Sequence, residues 1–225
     1  MGMDTAKPMA VVLASGGMDS CVAAAWAAER YRLAMLHVNY GQRTEAKELA
    51  CFRRLADHFR AERTFVAEAP YLGLFGGSSL TDPQIPVPED DVPGEVPSTY
   101  VPFRNANLLA IATAWAETIG ASAVVIGAVE QDAPGYPDCR PAFYEAAARL
   151  IELGTRPETR IRVETPLIRL GKAEVVRLGA ELGAPFALTW SCYRSEDRPC
   201  FACASCRRRA EAFHEAGVAD PLAGG

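Results

Sequence analysis

The chain has 225 residues, enough for one large domain or a domain with a small appendage, and for a substantial core. It is 49% hydrophobic and 23% charged with a net charge of −5, as in ordinary globular proteins, and it shows no basic excess that would point to nucleic acid. No stretch approaches the roughly 18 consecutive apolar residues of a membrane span, and the opening MGMDTAKP carries no apolar signal region, so a cytoplasmic location is expected.

Val11 to Ala14 reads as a first strand. It enters the loop Ser15-Gly16-Gly17-Met18-Asp19-Ser20, and Met18 to Tyr31 reads as the first helix. Such a loop suits phosphate. Glycines let the backbone approach an anion, hydroxyls donate, and the first helical N–H groups point at the ligand. It lacks the GK[ST] of a Walker loop. Leu33 to Asn39 reads as a buried second strand ending in Tyr40-Gly41-Gln42-Arg43. A helix from about Thr44 to Arg60 follows, with Leu49, Phe52, Leu55, Ala56 and Phe59 on its inward stripe. Arg63 to Ala67 suggests a third strand. This alternation predicts an α/β fold with a parallel sheet and helices on both faces.

Residues 70 to 102 break the rhythm with seven prolines and the acidic run Glu89-Asp90-Asp91. A structureless stretch of that length is either functional or disordered. We read it as a lid or wall over the site. Phe103 to Gly120 is a helix, and Ala123 to Gly127 a buried strand opening into Val129 to Asp132 and Gly135 to Arg140. In open parallel sheets ligands lie beyond the carboxyl ends of the strands. Three candidate loops fall there, at 15–20, 40–43 and 130–140. Pro141 to Leu153 and Lys172 to Gly183 read as helices, Ile161 to Glu164 as a last strand, and Ser205 to Glu215 as a closing helix.

Cys192, Cys200, Cys203 and Cys206 form C-x7-C-x2-C-x2-C. Four thiolates suit a closed tetrahedral zinc site, whose role is then structural. An iron–sulfur cluster accepts the same donors. Arg43 and Arg104 can grip phosphate or carboxylate oxygens bidentately, and Lys172 can act as a point charge. Glu130, Asp132, Asp138 and Arg140 share one loop and could read a guanine-like edge or simply pair locally. The run Arg207-Arg208-Arg209 reads as a solvated helix face with some arginines near a thiolate site, and no histidine is assigned chemistry.

SGGMDS resembles the SGGxDS pyrophosphate loop (PP-loop) of the ATP pyrophosphatases. With YGQR, VPFRN at 101–105, GYPDCR at 135–140, TPL at 165–167, KAE at 172–174, SCY at 191–193 and the three further cysteines, the chain resembles the 7-cyano-7-deazaguanine synthases of queuosine biosynthesis from about residue 10 to 220. The resemblance implies a Rossmann-like fold of the adenine nucleotide alpha hydrolase type. It implies a PP-loop domain at 1–185 with the insertion at about 70–102, and a C-terminal zinc-binding segment at 186–225. It also implies a ligase that joins ammonia to 7-carboxy-7-deazaguanine with ATP and Mg²⁺ and continues to the nitrile. Ala14, Ser15, Gly16, Gly17, Met18, Asp19, Ser20 and Cys21 would then bind the nucleotide. Asp19, Arg104 and Lys172 would serve catalysis. Tyr40, Arg43, Arg104 and Asn105 would face the substrate together with Glu130, Asp132, Tyr136, Asp138 and Arg140. One structural zinc per subunit and a homodimer complete the expectation, with neither nucleic acid nor membrane as a partner. An enzyme that stops at the amide or uses another acceptor, a tRNA-thiolating relative and a nucleotide-sensing zinc module are the competing readings. Two departures stand out: Phe103 and Phe201 occupy positions where the family commonly carries a small residue, often glycine. They predict a narrower pocket at Phe103 and an altered cysteine turn at Phe201.

Overall fold

A computed structural model describes residues 7–90, 95–130 and 135–223. In chain order the elements are β1 (Met9–Leu13), α1 (Met18–Ala28), β2 (Arg32–Asn39), α2 (Glu45–His58), β3 (Arg63–Glu68), the single turn α3 (Tyr71–Leu74), α4 (Arg104–Ile119), β4 (Ala123–Ile126), α5 (Pro141–Gly154), β5 (Arg162–Glu164), α6 (Lys172–Glu181) and α7 (Ala204–Ala216). Every predicted element is present, with no end displaced by more than three residues.

The five strands form one parallel sheet in the order β3-β2-β1-β4-β5. The chain moves outward from β1 to β3, then crosses back to β4. The direction of winding therefore reverses between β1 and β4, and a crevice opens there at the carboxyl ends of the strands.

The sheet is covered on both faces, as a parallel sheet requires. Strand side chains alternate with period two. Ala10, Val12, Leu33, Met35, Ala123 and Val125 pack under α1, α2, α6 and α7. Val11, Leu13, Ala34, Leu36, Val124 and Ile126 pack under α4 and α5. The alanine-rich α1 is buried along most of its length between the sheet and α6. Small residues on both sides let the backbones come close. No helix among the described residues is long and apolar enough to cross a membrane.

The proline-rich insertion is ordered by a few polar anchors. Ser78, Ser79 and Thr99 are fully buried, and Leu72, Leu80 and Val101 join the α4 face of the core. Arg43 donates to the carbonyls of Ser79, Asp82 and Ile85 at 2.7–2.8 Å. One guanidinium thus satisfies three carbonyls that no strand or helix can reach.

Candidate active site

A cleft of about 280 Å³ lies over the carboxyl ends of β1, β2 and β4, near the lower end of ordinary ligand pockets. The loop after β1 forms its floor. Gly16 has φ +82°, and a Cβ there would stand 2.7 Å from the Glu48 carbonyl. A Cβ on Gly127 would stand 2.7 Å from the Asp19 carbonyl, so β4 ends pressed against the same loop. Ser20 Oγ donates to the Gly17 carbonyl, and the Gly17 N–H donates to Ser15 Oγ. The N-cap position of α1 is Gly17, which has no side chain to cap the helix. The first N–H groups of a helix have no partner within it, and Gly17, Met18, Asp19 and Ser20 line the cleft. This is an anion cradle in its physical chemistry.

Charge is placed around the cradle by three elements. Lys172, the first residue of α6, holds Asp19 Oδ2 at 2.8 Å. Asp19 Oδ1 is buried and makes no hydrogen bond among the described residues. Arg104 opens α4 and donates to Tyr40 Oη at 3.1 Å, with its guanidinium 5.6 Å from the ring centre. Burial acts to lower the Arg104 pKa, but the phenol oxygens of Tyr40, Tyr136 and Tyr193 outweigh it and hold the group charged. Among the described residues no carboxylate stands within ion-pair distance of Arg104, so its charge is presented to the cleft. Cys21 sits behind the loop, fully buried, and burial pushes its thiol up to about 12. It is a packing residue and no nucleophile.

Of the residues expected at the nucleotide, Ala14, Ser15, Gly17, Met18, Asp19 and Ser20 line the cleft, whereas Gly16 and Cys21 support it from behind. Of those expected at the substrate, Tyr40, Arg43, Arg104, Asn105 and Tyr136 line it, though two nitrogens of Arg43 are committed to the insertion. Asp138 is buried, and its Oδ2 accepts the Asn105 N–H at 2.9 Å, satisfying an N-terminal donor of α4. Asn105 Nδ2 returns a bond to the Asp138 carbonyl. This reciprocal pair fixes where α4 begins, and hence where Arg104 points. Glu130 and Arg140 are exposed and stand outside the cleft wall. Asp132 lies outside the described residues.

Both flagged aromatic departures take left-handed backbone, φ 57° at Phe103 and 54° at Phe201, the conformation that favours glycine. Phe103 is 63% exposed and turns away from the cleft. The expected narrowing is therefore absent, because the side chain projects to solvent at the start of α4. Phe201 likewise preserves the turn between Cys200 and Cys203 by accepting that conformation, so the expected alteration is absent too.

The four cysteine sulfurs lie within 4.8 Å of one another. Tetrahedral bonds of about 2.3 Å put sulfurs about 3.8 Å apart, and Cys200 Sγ and Cys206 Sγ are separated by 4.0 Å. The N–H groups of Arg194 and Cys200 donate to Cys192 Sγ, and that of Cys203 to Cys200 Sγ. Hydrogen bonds from Cys192 and Cys206 drive the Cys203 thiol far down, while its neighbours drive Cys206 far up. Ionising all four sulfurs at such separations requires a cation among them, and the cluster could hold a metal ion. Cys192 and Trp190 also line the cleft, so the cluster and the site share a wall.

Of the arginine run only Arg207 is exposed; Arg208 is half-buried and Arg209 buried. Arg207 pairs with Glu89 and Asp90 of the insertion. Arg208 lines the cleft. Arg209 is buried, bonded to both oxygens of Asp220 at 2.8 and 2.9 Å and to Thr189. Sequence reading also missed Glu48 and His37 in the cleft wall. Glu48 lies one turn into the helix that follows YGQR, and that position was the available signal. His37 sits in an apolar strand where nothing marks it.

Comparison with known proteins adds to this geometry. The family model described as queuosine biosynthesis protein QueC matches residues 9–217. A 7-cyano-7-deazaguanine synthase from Chlorobaculum parvum is 55% identical over 215 residues, covering 95% of each chain. One from Acidobacterium capsulatum is 53% identical over 225 residues, covering 98% of each. Among solved structures, the U34-tRNA thiolase NcsA from Methanococcus maripaludis with its 4Fe-4S cluster superimposes with a TM-score of 0.50 at 18% identity. That match covers 95% of this chain and 66% of the thiolase. A likeness at that identity speaks for the fold alone.

Proposed function

The chain belongs to the queuosine biosynthesis protein QueC family and is an enzyme of the synthase class its relatives represent, and from that premise we propose how it works. It converts 7-carboxy-7-deazaguanine to 7-cyano-7-deazaguanine with ammonia and two molecules of ATP. The observation that carries this reading is the cleft itself. A phosphate cradle, a Lys172–Asp19 pair and the charge of Arg104 converge on one space.

The carboxylate oxygen attacks the α-phosphorus of ATP, and pyrophosphate leaves into the loop 15–20. Its charge is met by backbone N–H groups, the Ser15 and Ser20 hydroxyls, and Lys172. Such preorganised donors carry most of the catalysis in phosphorus chemistry. Arg104 holds the acceptor side, oriented by Tyr40. Ammonia attacks the acyl adenylate, AMP leaves and the amide remains. The amide oxygen then attacks the α-phosphorus of a second ATP, pyrophosphate leaves into the same loop, and loss of AMP and the two nitrogen-bound protons leaves the nitrile. One cleft serves both rounds because each places an oxygen at the same phosphorus.

Mg²⁺ suits the free oxygen of Asp19, a hard donor beside the phosphates. When bound, it neutralises phosphate charge. Zn²⁺ suits Cys192, Cys200, Cys203 and Cys206, one ion per subunit, and would fasten residues 186–225 to the PP-loop domain of residues 1–185. We place the enzyme in the cytoplasm as a homodimer, the arrangement most oligomers take.

The test is mass spectrometry of products from purified protein with ATP, Mg²⁺, ammonium and 7-carboxy-7-deazaguanine. Nitrile plus AMP is the expected result. Amide alone would mark an enzyme specialised at the first round. Unchanged substrate from folded, metal-loaded protein would overturn the reading.

A further inference from the structure

This inference rests on the reading above, in which ammonia is a substrate. Ammonium is its abundant form near neutral pH, so something must take a proton before nitrogen can attack. Among the described residues, two carboxylates line the cleft. Asp19 is tied to Lys172. Glu48 has neutral partners only: Thr44 Oγ1 donates to Oε1 at 2.8 Å and Gln42 Nε2 to Oε2 at 3.2 Å. Gln42 is itself oriented by the Tyr40 N–H, which donates to its Oε1. Each carboxylate oxygen therefore keeps a lone pair. The other base in the wall, His37, spends Nδ1 on the Ala14 carbonyl, and burial lowers its pKa.

We propose that Glu48 binds ammonium in the cleft and is the general base that releases ammonia for attack on the acyl adenylate. The Glu48 carboxylate takes one proton from ammonium. The freed lone pair forms the C–N bond at the acyl carbon. The adduct breaks its acyl C–O bond and expels AMP, which carries off the second proton as the amide forms. Glu48 returns its proton to water before the next turnover. Burial pushes the Glu48 carboxyl up to about 7, against the Thr44 and Gln42 donors and the Arg104 charge from α4, and with the Glu45 charge on its own helix. The Tyr40 phenol and Cys51 thiol that also face it are uncharged at neutral pH, burial raising both. A base poised near the working pH is the efficient choice.

Glu48 also braces the 40–44 turn, so the test must separate base from brace. Glu48→Gln keeps the volume and an acceptor oxygen. Pyrophosphate release without ammonium reads adenylation, and amide formation reads the ammonium step. We expect adenylation within about twofold of wild type. The ammonium step should fall about 100-fold near neutral pH, the low end for a lost general base, and recover at least about tenfold at high pH as free ammonia rises. Wild-type amidation in the variant overturns the assignment. So does an equal loss of both steps with no recovery at high pH, which is the signature of a brace. Should the variant not fold, the wild-type profile decides. With ammonium bound to a base, the rate levels off above about pH 7. A rate that keeps climbing about tenfold per pH unit means free ammonia reacts unaided, and overturns the proposal. Wild-type protein that releases no pyrophosphate with the carboxylate overturns the functional reading, and this inference with it.

Discussion

Lys172 Nζ stands 2.8 Å from Asp19 Oδ2, so the N-terminus of α6 is locked to the loop after β1 across most of the chain's length. The pair is partly screened, with side chains 16% and 26% exposed, and surface-type pairs add little stability. Its value lies in fixing a cation beside a carboxylate in the wall of one cleft. Lys172→Met should therefore cut AMP formation by about 100-fold, the scale of a lost electrostatic donor, with little change in melting temperature. Asp19→Ala should abolish AMP formation while leaving bound metal intact. Pyrophosphate release and metal analysis on the same samples check both. Wild-type rates would remove the pair from the reaction.

Cys203 is fully buried and its N–H donates to Cys200 Sγ, so the proposed metal ligand is also part of the framework. Cys203→Ser should lose the metal and destabilise the protein by several kcal/mol, since metal binding free energy counts as folding free energy. Elemental analysis and thermal unfolding read the two effects. Retained metal at wild-type stability would mean that three sulfurs suffice.

The sheet was legible because buried parallel strands are short apolar runs and the helices between them carry 3.6-residue stripes or alanine density. The loop at 15–20 was legible as a cradle because its chemistry is local: six consecutive residues hold the glycines, hydroxyls and acid. What sequence could not supply was contact at a distance. Nothing in Asp138 announces that it satisfies the backbone of Asn105, or in Arg209 that Asp220 will bury it. Arg43 reads as an anion grip until its carbonyl partners in the insertion are known. Side chains of the same type serve ligand or framework according to what the fold brings opposite them.

Burial lowers the His37 pKa below its ordinary value. Between the folded and unfolded pKa values the unfolded chain binds more protons, so stability rises with pH there and is lost as pH falls below about 6.5. Urea midpoints should drop on acidification through that window. In His37→Gln the drop should be smaller. Glu48 acts with opposite sign, its raised carboxyl adding stability that fades as pH rises towards about 7, so the two variants should tilt the pH profile in opposite directions. A wild-type profile indifferent to both substitutions would contradict the burial of these groups.

Arg209 joins α7 to the segment before the cysteines through Thr189, Ser191 and the Phe186 carbonyl, and to the chain beyond α7 through Asp220. Arg209→Met leaves Asp220 buried without its cation. Breaking a buried pair from one side costs about 3–5 kcal/mol, and chemical denaturation should show a loss of that order. Arg209→Met combined with Asp220→Leu should recover part of it, because no uncompensated charge remains.

Phe201 is held at φ 54° with its ring 52% exposed. Left-handed backbone costs a residue with a Cβ roughly 1–2 kcal/mol. Glycine escapes that cost but gains freedom in the unfolded chain, worth about 0.4–1 kcal/mol. The ring packs too little to reverse the balance. Phe201→Gly should therefore stabilise the protein by about 0.5–1 kcal/mol with its metal retained, and the denaturation midpoint should rise in holo protein. If the midpoint falls instead, the ring contributes more to packing than its exposure indicates. The strain would then be compensated locally, and Phe201 would be kept as a packing residue of the cysteine turn.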